Sequence, residues 1–299
     1  MVGRLLGRGG FSEVFKGYDC EEGRHVACKL HQLASHWPEE RKRSYVRHAA
    51  REYSIMKAMR HPNIVALFDV IEIDDETFCT VLELCDEVDL DARLKQGGPL
   101  PEREARPIIA QIFAGLAYLS SGPRRVIHYD LKPGNILFDA AGRVKITDFG
   151  LSKVVEDSAA SLELTSQGAG TYWYLPPECF ETGAVPKISS KVDVWSAGVI
   201  LFQMLYGRRP FGQENEIAVV LREETIVLRS GRALEFPPNK PAVSVECRAF
   251  IRRCLTYSQA DRPDSLTARA EDHPYLSYVR LPTRLLTPSK GDAKDAAAA

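Results

Sequence analysis

The chain has 299 residues, 44% of them hydrophobic, which is enough to build two moderate lobes or one large domain. Its formal net charge of −1 excludes a global field that attracts nucleic acid or membranes, so we expect neither as a direct partner of this domain. The longest apolar run, Val194 to Tyr206, is too short for the ~20 residues of a membrane span. The seven cysteines form no C-x-x-C pair and no signal peptide opens the chain, which predicts reduced thiols and an intracellular protein.

The first predicted element is a β-hairpin closed by a glycine-rich turn at residues 7–14. Gly7 and Gly9 would let backbone amides approach phosphate groups without an intervening Cβ. A lone G-x-G is more often an ordinary hairpin turn, so the motif alone leaves both interpretations open. A Walker A loop is excluded because no Lys-Ser/Thr pair follows the glycines.

The next elements are a strand that carries a lysine and a long polar helix. Alternation in residues 26–29 places Ala27 and Lys29 on one strand face, where a lysine either pairs with an anion or reaches to water. The helix opens at Pro38, and Glu52 sits beside its apolar face, which makes it the candidate partner of Lys29. The rivals Glu39 and Glu40 fall in the first turn, where the helix dipole already explains them.

Two further strands, residues 65–73 and 77–84, complete a predicted five-stranded antiparallel lobe with one helix. Residues 83–86 would connect it to a second lobe, and clefts form at such connections. We expect helices at residues 101–119, 191–206, 215–229, 244–255 and 265–271. Pro107 should kink the first of these or mark its real start.

The loop at residues 128–135 brings together the groups that phosphoryl transfer needs. Asp130 can accept a hydroxyl proton, and Lys132 can meet a phosphoryl oxygen. Asn135, together with Asp148 of the later Asp-Phe-Gly, can hold a divalent metal ion. Taken singly, each has a plain structural explanation as a turn or cap residue.

These motifs, in this order, make the chain resemble a eukaryotic protein kinase domain from Gly7 to about Tyr275. The resemblance also rests on Pro-Pro-Glu at 176–178, Asp-Val-Trp-Ser-Ala-Gly at 193–198 and Asp-Arg-Pro at 261–263. It implies an α+β, two-lobed kinase fold, with a small antiparallel β lobe at 1–84, a larger mostly helical lobe at 85–279 and a disordered tail at 280–299. The amino-acid sequence of residues 128–135 and 168–178 is most similar to that of the tousled-like serine/threonine kinases.

The resemblance assigns roles to residues of this chain. The catalytic set would be Asp130, Lys132, Lys29 and Glu52, and Asn135 with Asp148 would hold Mg²⁺. The ATP site would comprise Leu6, Gly7, Gly9, Val14, Ala27, Lys29, Leu82, Glu83, Cys85, Asp89 and Leu137. Within it, Leu82 is the gatekeeper, Glu83 and Cys85 offer backbone hydrogen bonds, and Asp89 reaches the ribose. Glu178 and Arg262 would form a buried ion pair that fixes the end of the activation segment.

Two positions depart from the common kinase pattern. Ser12 replaces the third glycine, and Tyr129 replaces the arginine that binds an activation-loop phosphate in many kinases. Tyrosine lacks that charge, so our hypothesis is that this enzyme does not depend on the usual phosphate-to-arginine latch. The possible phosphosites on the loop are Ser158, Ser161, Thr165 and Ser166, although solvated serines are the plainer interpretation.

Three functional interpretations compete. The first is ATP-dependent transfer of phosphate to protein serine or threonine, because Lys132 and Thr171 resemble the serine/threonine rather than the tyrosine kinases. The second is a pseudokinase scaffold that only binds nucleotide, and the third, a small-molecule kinase, is disfavoured by residues 168–178. Family analogy alone predicts a nuclear location, histone chaperones or chromatin proteins as substrates, and oligomerisation through regions outside this chain. Both chain ends look like fragment boundaries.

Overall fold

A computed structural model gives the fold of residues 2–8, 12–33, 36–74, 76–85, 88–121, 124–156, 162–163, 171–180, 187–211, 234–237, 242–266 and 274–277. The predicted helix at 215–229, most of the one at 265–271, Gly9 and the four activation-loop phosphosites lie outside these residues. No helix of the described ranges is long and apolar enough to cross a membrane.

The first lobe is a five-stranded antiparallel sheet with one helix, as predicted. Its elements are β1 (Val2–Arg8), β2 (Ser12–Asp19), β3 (Arg24–Gln32), α1 (Glu39–Lys57), β4 (Leu67–Asp74) and β5 (Thr77–Glu83). The strand order is β1-β2-β3-β5-β4, so β3 lies at the centre of the sheet. Register pairs Val14 with Lys29 and Ala27 with Leu82, which sets these four side chains on neighbouring strands. The predicted lobe boundary at residue 84 falls just after β5 and stays a prediction.

Helix α1 follows the sequence signals closely. Pro38 directly precedes it, as is common at helix starts. Glu39 and Glu40 stand in its first turn and Lys57 in its last turn, where their charges are favourable to the helix dipole. Its C-terminal half buries Ile55 and Met56 in the main hydrophobic core.

The second lobe contains most of the remaining elements. The helices are α2 (Leu90–Gly97), α3 (Glu102–Ser120), α4 (Lys191–Tyr206), α5 (Val245–Cys254) and α6 (Pro274–Ser277). The short strands are β6 (Arg124–Ile127), β7 (Ile136–Phe138), β8 (Val144–Ile146), β9 (Lys153–Glu156), β10 (Leu162–Glu163) and β11 (Lys187–Ile188). Antiparallel pairs form between β6 and β9, β7 and β8, and β10 and β11. Pro107 does not mark the start of α3, because the helix already begins at Glu102 and continues through the proline.

Helix α4 forms the centre of this lobe, because nearly every one of its residues is buried. At Gly198 it approaches α5 so closely that an added Cβ would lie 2.7 Å from the Cβ of Cys254. The helix ends at Gly207, whose φ of +67° lies in the left-handed region that glycine adopts without strain.

Backbone hydrogen bonds join the two lobes behind the cleft. The Val65 amide donates to the carbonyl of Ile146 at 2.9 Å, and the Ile146 amide donates to the carbonyl of Asn63 at 2.9 Å. The Asn63 side chain adds a bond to the Val144 carbonyl at 2.9 Å. Strand β8 is thereby fixed against the segment that leads into β4.

Candidate active site

A cavity of about 680 Å³ lies between the sheet of the first lobe and the β7–β8 region of the second. Every predicted nucleotide and metal residue in the described part of the chain lines it. These residues are Leu6, Gly7, Val14, Ala27, Lys29, Glu52, Leu82, Glu83, Cys85, Asp89, Asn135, Leu137 and Asp148. The structure therefore brings residues of both halves of the predicted site, separated by about a hundred residues in sequence, to one cavity. The predicted catalytic residues Asp130 and Lys132 are not among its lining residues, but Asp130 accepts hydrogen bonds from Asn135, which lines the cavity.

Lys29 contacts two carboxylates inside the cavity. Its Nζ lies 3.5 Å from Oε1 of Glu52 and 3.9 Å from Oδ1 of Asp148. Burial alone lowers the pKa of Lys29, but the negative charges around it, Glu52 first, outweigh burial and raise the pKa above its usual value. Lys29 is therefore a fixed cation at physiological pH. The rival Glu39 instead lies 3.8 Å from Lys42.

Polar residues line the cavity near residues 83–86, the predicted connection between the lobes, and they already form hydrogen bonds or ion pairs within the protein. The amide of Glu83 donates to the Ala66 carbonyl at 2.9 Å, so this amide is already used within the protein. Its carboxylate pairs with the buried Lys145 of β8 at 2.6 Å. Asp89 caps α2 by accepting from the Ala92 amide at 2.7 Å, which leaves its other carboxylate oxygen for a ligand.

Asp130 is a buried carboxylate that accepts four hydrogen bonds. Oδ1 accepts from the amide of Thr171 at 3.0 Å and from its hydroxyl at 2.9 Å. Oδ2 accepts from Lys132 Nζ at 2.6 Å and from Asn135 Nδ2 at 3.2 Å. Lys132 also donates to the Thr171 hydroxyl at 3.1 Å, so one aliphatic hydroxyl lies between the acid and the lysine.

Asn135 and Asp148 both line the cavity and carry side-chain oxygen atoms. Asn135 Nδ2 donates to the carbonyl of Asp130 at 2.8 Å, which turns the amide oxygen away from that bond. Asp148 has a φ of +65°, and its side chain is 46% exposed. A carboxylate and an amide oxygen fit Mg²⁺, which takes few protein oxygens and completes its sphere with water and phosphate.

The loop at residues 128–135, called the catalytic loop below after its predicted role, is held by Asp193 of α4. Its carboxylate accepts from the amide of His128 at 2.8 Å and from that of Tyr129 at 2.9 Å. Burial raises the pKa of Asp193, and His128 and the two amides oppose that effect. The His128 ring donates from Nε2 to the Thr147 carbonyl at 2.9 Å and accepts at Nδ1 from the Asp130 amide at 3.3 Å. The loop and the Asp-Phe-Gly segment are thereby joined through one imidazole.

Tyr129 is 1% exposed and makes none of the contacts to Asp130 described above. It packs in a separate apolar cluster with Ile127, Val155, Leu175, Cys179, Ile188 and Val192. Burial, with a smaller effect of Cys179, raises the pKa of the phenol, so the residue is neutral. A phosphate-binding cation does not stand at this position.

Several residues that line the cavity were not predicted from the sequence. His31 and Tyr45 are two of the polar ones, beside Arg8 and Thr147, and Ala49, Met56, Val65 and Leu151 add apolar surface. Burial, then the charge of Lys29, lowers the pKa of His31 to about 3, so its imidazole is neutral. Two periodicities point to this pair: His31 follows Lys29 by two residues on β3, and Tyr45 precedes Glu52 by seven on α1.

A cleft of this construction, between an antiparallel lobe and a helical lobe, is the defining feature of protein kinases. The family model described as the protein kinase domain matches residues 1–276, and the chain belongs to that family. The expected resemblance to the tousled-like kinases is confirmed by the relatives of this domain.

The serine/threonine-protein kinase TOUSLED of Arabidopsis thaliana is 59% identical over 278 residues, which are 92% of this chain and 40% of that protein. The serine/threonine-protein kinase tousled-like 2 of Homo sapiens is 55% identical over 268 residues, 87% of this chain and 34% of that protein. The serine/threonine-protein kinase tousled-like 1 of Caenorhabditis elegans is 51% identical over 267 residues, 87% of this chain and 27% of that protein. The chain thus spans two fifths or less of the length of these relatives.

Proposed function

We propose that this chain is an ATP-dependent protein serine/threonine kinase. The observation that supports it best is that Asp130, paired with Lys132, accepts a hydrogen bond from Asn135, which lines the cavity that contains the Lys29–Glu52 pair. Phosphoryl transfer requires that a hydroxyl, a phosphate chain and counter-charges be aligned, because its transition state spreads negative charge over oxygens. Each of those requirements has a candidate side chain here.

In the proposed reaction the substrate hydroxyl oxygen forms a bond to the γ-phosphorus of ATP, and the bond from that phosphorus to the β–γ bridging oxygen breaks. Asp130 orients the hydroxyl and receives its proton, and ADP is the leaving group. Lys29 would meet the α- and β-phosphates while Glu52 holds it. Asn135 and Asp148 would hold Mg²⁺, which neutralises phosphate charge when bound.

The four donors on Asp130 leave no lone pair for a substrate hydroxyl. One donor must therefore move when substrate binds. Lys132 is the donor we expect to move, because its side chain is 31% exposed and a γ-phosphate would offer it a second anion. Its departure frees Oδ2 and brings positive charge to the transferring group in one motion.

Serine or threonine rather than tyrosine is the proposed acceptor. Thr171 bonds both Asp130 and Lys132, so the acceptor region is bounded by a short aliphatic hydroxyl close to the carboxylate. Phosphoamino-acid analysis of labelled substrates should therefore give phosphoserine and phosphothreonine. Mainly phosphotyrosine would contradict this assignment.

The test of the function is transfer of γ-phosphate to a panel of basic and acidic proteins with Mg²⁺. We expect labelling by the wild type and its loss in Asp130→Asn, which keeps the shape of the side chain but loses the base. Asp91→Asn, in the exposed pair with Lys95, is the matched control and should label like the wild type. Equal labelling by the wild type and Asp130→Asn would contradict catalysis and favour the pseudokinase scaffold.

By analogy with the tousled-like kinases, we also propose nuclear action on histone chaperones or chromatin proteins, with oligomerisation through other regions. The independence from an activation-loop phosphate stays a hypothesis, supported by the burial of Tyr129 in an apolar cluster. Its test is the simultaneous replacement of Ser158, Ser161, Thr165 and Ser166 by alanine. Activity should survive, whereas its loss, together with rescue by acidic residues, would refute the hypothesis.

A further inference from the structure

A second contact between β3 and α1 lies next to the Lys29–Glu52 pair. The Nδ1 atom of His31 is 2.8 Å from the hydroxyl of Tyr45. His31 is 3% exposed, and both residues line the same cavity as Lys29 and Glu52. None of the roles assigned above uses this contact.

The contact belongs to a chain of hydrogen bonds that reaches from α1 to β5. His31 Nε2 lies 3.3 Å from the Thr80 hydroxyl, which donates to the Lys29 carbonyl at 3.4 Å. Because that hydroxyl uses its proton on the carbonyl, it accepts from Nε2–H of His31, and Nδ1 then accepts from Tyr45. One order of donors satisfies every member of the chain.

Aromatic packing fixes the two rings in this arrangement. The imidazole of His31 stacks on Phe78 of β5 at 4.4 Å with an interplanar angle of 5°. The ring of Tyr45 meets the edge of Trp37 at 5.7 Å. The packing therefore fixes the His31 ring on the sheet. The hydrogen bond from Tyr45 of α1 to that ring then fixes the helix relative to the sheet.

Spacing relates this contact directly to the catalytic pair. Tyr45 and Glu52 are seven residues apart, which is close to two helical turns, so they project from one face of α1. His31 and Lys29 are two residues apart on one face of β3. The two contacts thus run side by side between the same strand and the same helix.

The two contacts differ in how firmly they hold. The Lys29–Glu52 distance is 3.5 Å, and the two side chains are 19% and 16% exposed. The His31–Tyr45 bond is shorter, at 2.8 Å, and carries no charge that salt can screen. We propose that His31 and Tyr45 are a positioning pair that fixes α1 on the sheet and so sets Glu52, and through it Lys29, for the phosphates of ATP.

The inference rests on the proposed kinase function, so its test includes a measurement that does not need turnover. The variant is Tyr45→Phe, which removes only the hydroxyl, and the control is Tyr18→Phe on β2. We expect kcat to fall about two- to tenfold, the effect of one lost hydrogen bond, and the melting temperature to fall by a few degrees, because the buried Nδ1 of His31 loses its donor. In calorimetry with Mg²⁺, ADP should bind more weakly by a similar factor, whereas adenosine, which lacks the phosphates, should bind as before.

A double-mutant comparison separates positioning from general damage. In a Glu52→Gln background the further change Tyr45→Phe should have little additional effect on kcat, because the group it positions is gone. Equal loss in both backgrounds, or equal weakening of ADP and adenosine, would overturn the inference. If the wild type transfers no phosphate, the kinase proposal fails, and the ADP and adenosine measurements still decide the role of the pair.

Discussion

Removal of Glu178 should be among the most destabilising single changes in this protein. Its carboxylate receives two bonds from Arg262, at 2.8 and 3.0 Å, and the two side chains are 10% and 0% exposed. Glu178→Ala leaves a buried guanidinium without its anion, a change that typically costs about 3–5 kcal/mol. Arg262 keeps bonds to three carbonyls, those of Thr256, Lys191 and Tyr257, so we expect about 3 kcal/mol, the lower end of that range.

Urea denaturation followed by circular dichroism and tryptophan fluorescence measures this loss. With a slope of about 3 kcal/mol per molar urea, the midpoint should fall by about 1 M. The double variant Glu178→Leu with Arg262→Met removes both charges and should recover part of the stability, because the unpaired charge is gone although three carbonyls lose their donor. Lys95→Gln, which breaks the exposed pair with Asp91, should leave the midpoint unchanged. A loss below about 1 kcal/mol for Glu178→Ala would show that carbonyl groups and water satisfy the guanidinium, and would refute the reasoning.

Three further predictions concern stability. Because the pKa of His31 falls from 6.5 to about 3 on folding, its contribution is complete above pH 6.5 and is lost as the pH falls towards 3. Between pH 7.5 and 5.0 the wild type should therefore lose about 2 kcal/mol more than His31→Gln, and equal losses would contradict this. Gly198→Ala should lower the unfolding midpoint despite its better helix propensity, because the new methyl meets Cys254 at 2.7 Å; a gain in stability would show that α5 moves aside. Glu83→Leu alone should destabilise more than Glu83→Leu with Lys145→Met, with a coupling of about 0.5–3 kcal/mol, and additive effects would mean that the 2.6 Å pair contributes nothing.

The long, periodic elements were predictable from the sequence. Helix α4 was predicted at the residues it occupies, and the antiparallel lobe has the predicted number of strands. The β6 to β9 strands were missed because three or four residues are too few to establish a period. Helix α2 was not predicted, although Asp89 and Gly98 carry start and stop signals, because eight residues give only about two turns in which to establish a helical period. The alternative that Pro107 marks the start of α3 was wrong, since a helix embedded in a core tolerates the loss of one backbone bond. The alternative that it kinks the helix stays a prediction.

The partners of particular side chains were harder to predict from the sequence than the helices and strands. The assignment of Glu52 rather than Glu39 or Glu40 to Lys29 followed from helix position, and the structure places Glu52 there. Asp193 was noted as part of a motif, but its two bonds to the catalytic-loop backbone depend on how α4 packs beneath that loop. The spacing of His31 from Lys29 and of Tyr45 from Glu52 places each pair on one face of its element. The sequence does not show that this face of β3 contacts this face of α1.

The sequence by itself determined which functional groups are available for a reaction. They are an ordered set of glycines, carboxylates, lysines and one asparagine whose types and spacing match phosphoryl transfer. Local periodicity also predicted the main helices and the individual strands, because a period depends on neighbours close in the chain. The pairing of β3 with β5 joins residues on either side of α1, so the order of the sheet is a property of the tertiary structure. Only the tertiary structure decided which groups share a cavity, because residues about a hundred positions apart meet through packing of whole elements. It also decided the occupancy of Asp130 by four donors and the burial of Tyr129, since hydrogen-bond partners and desolvation are properties of the folded surroundings.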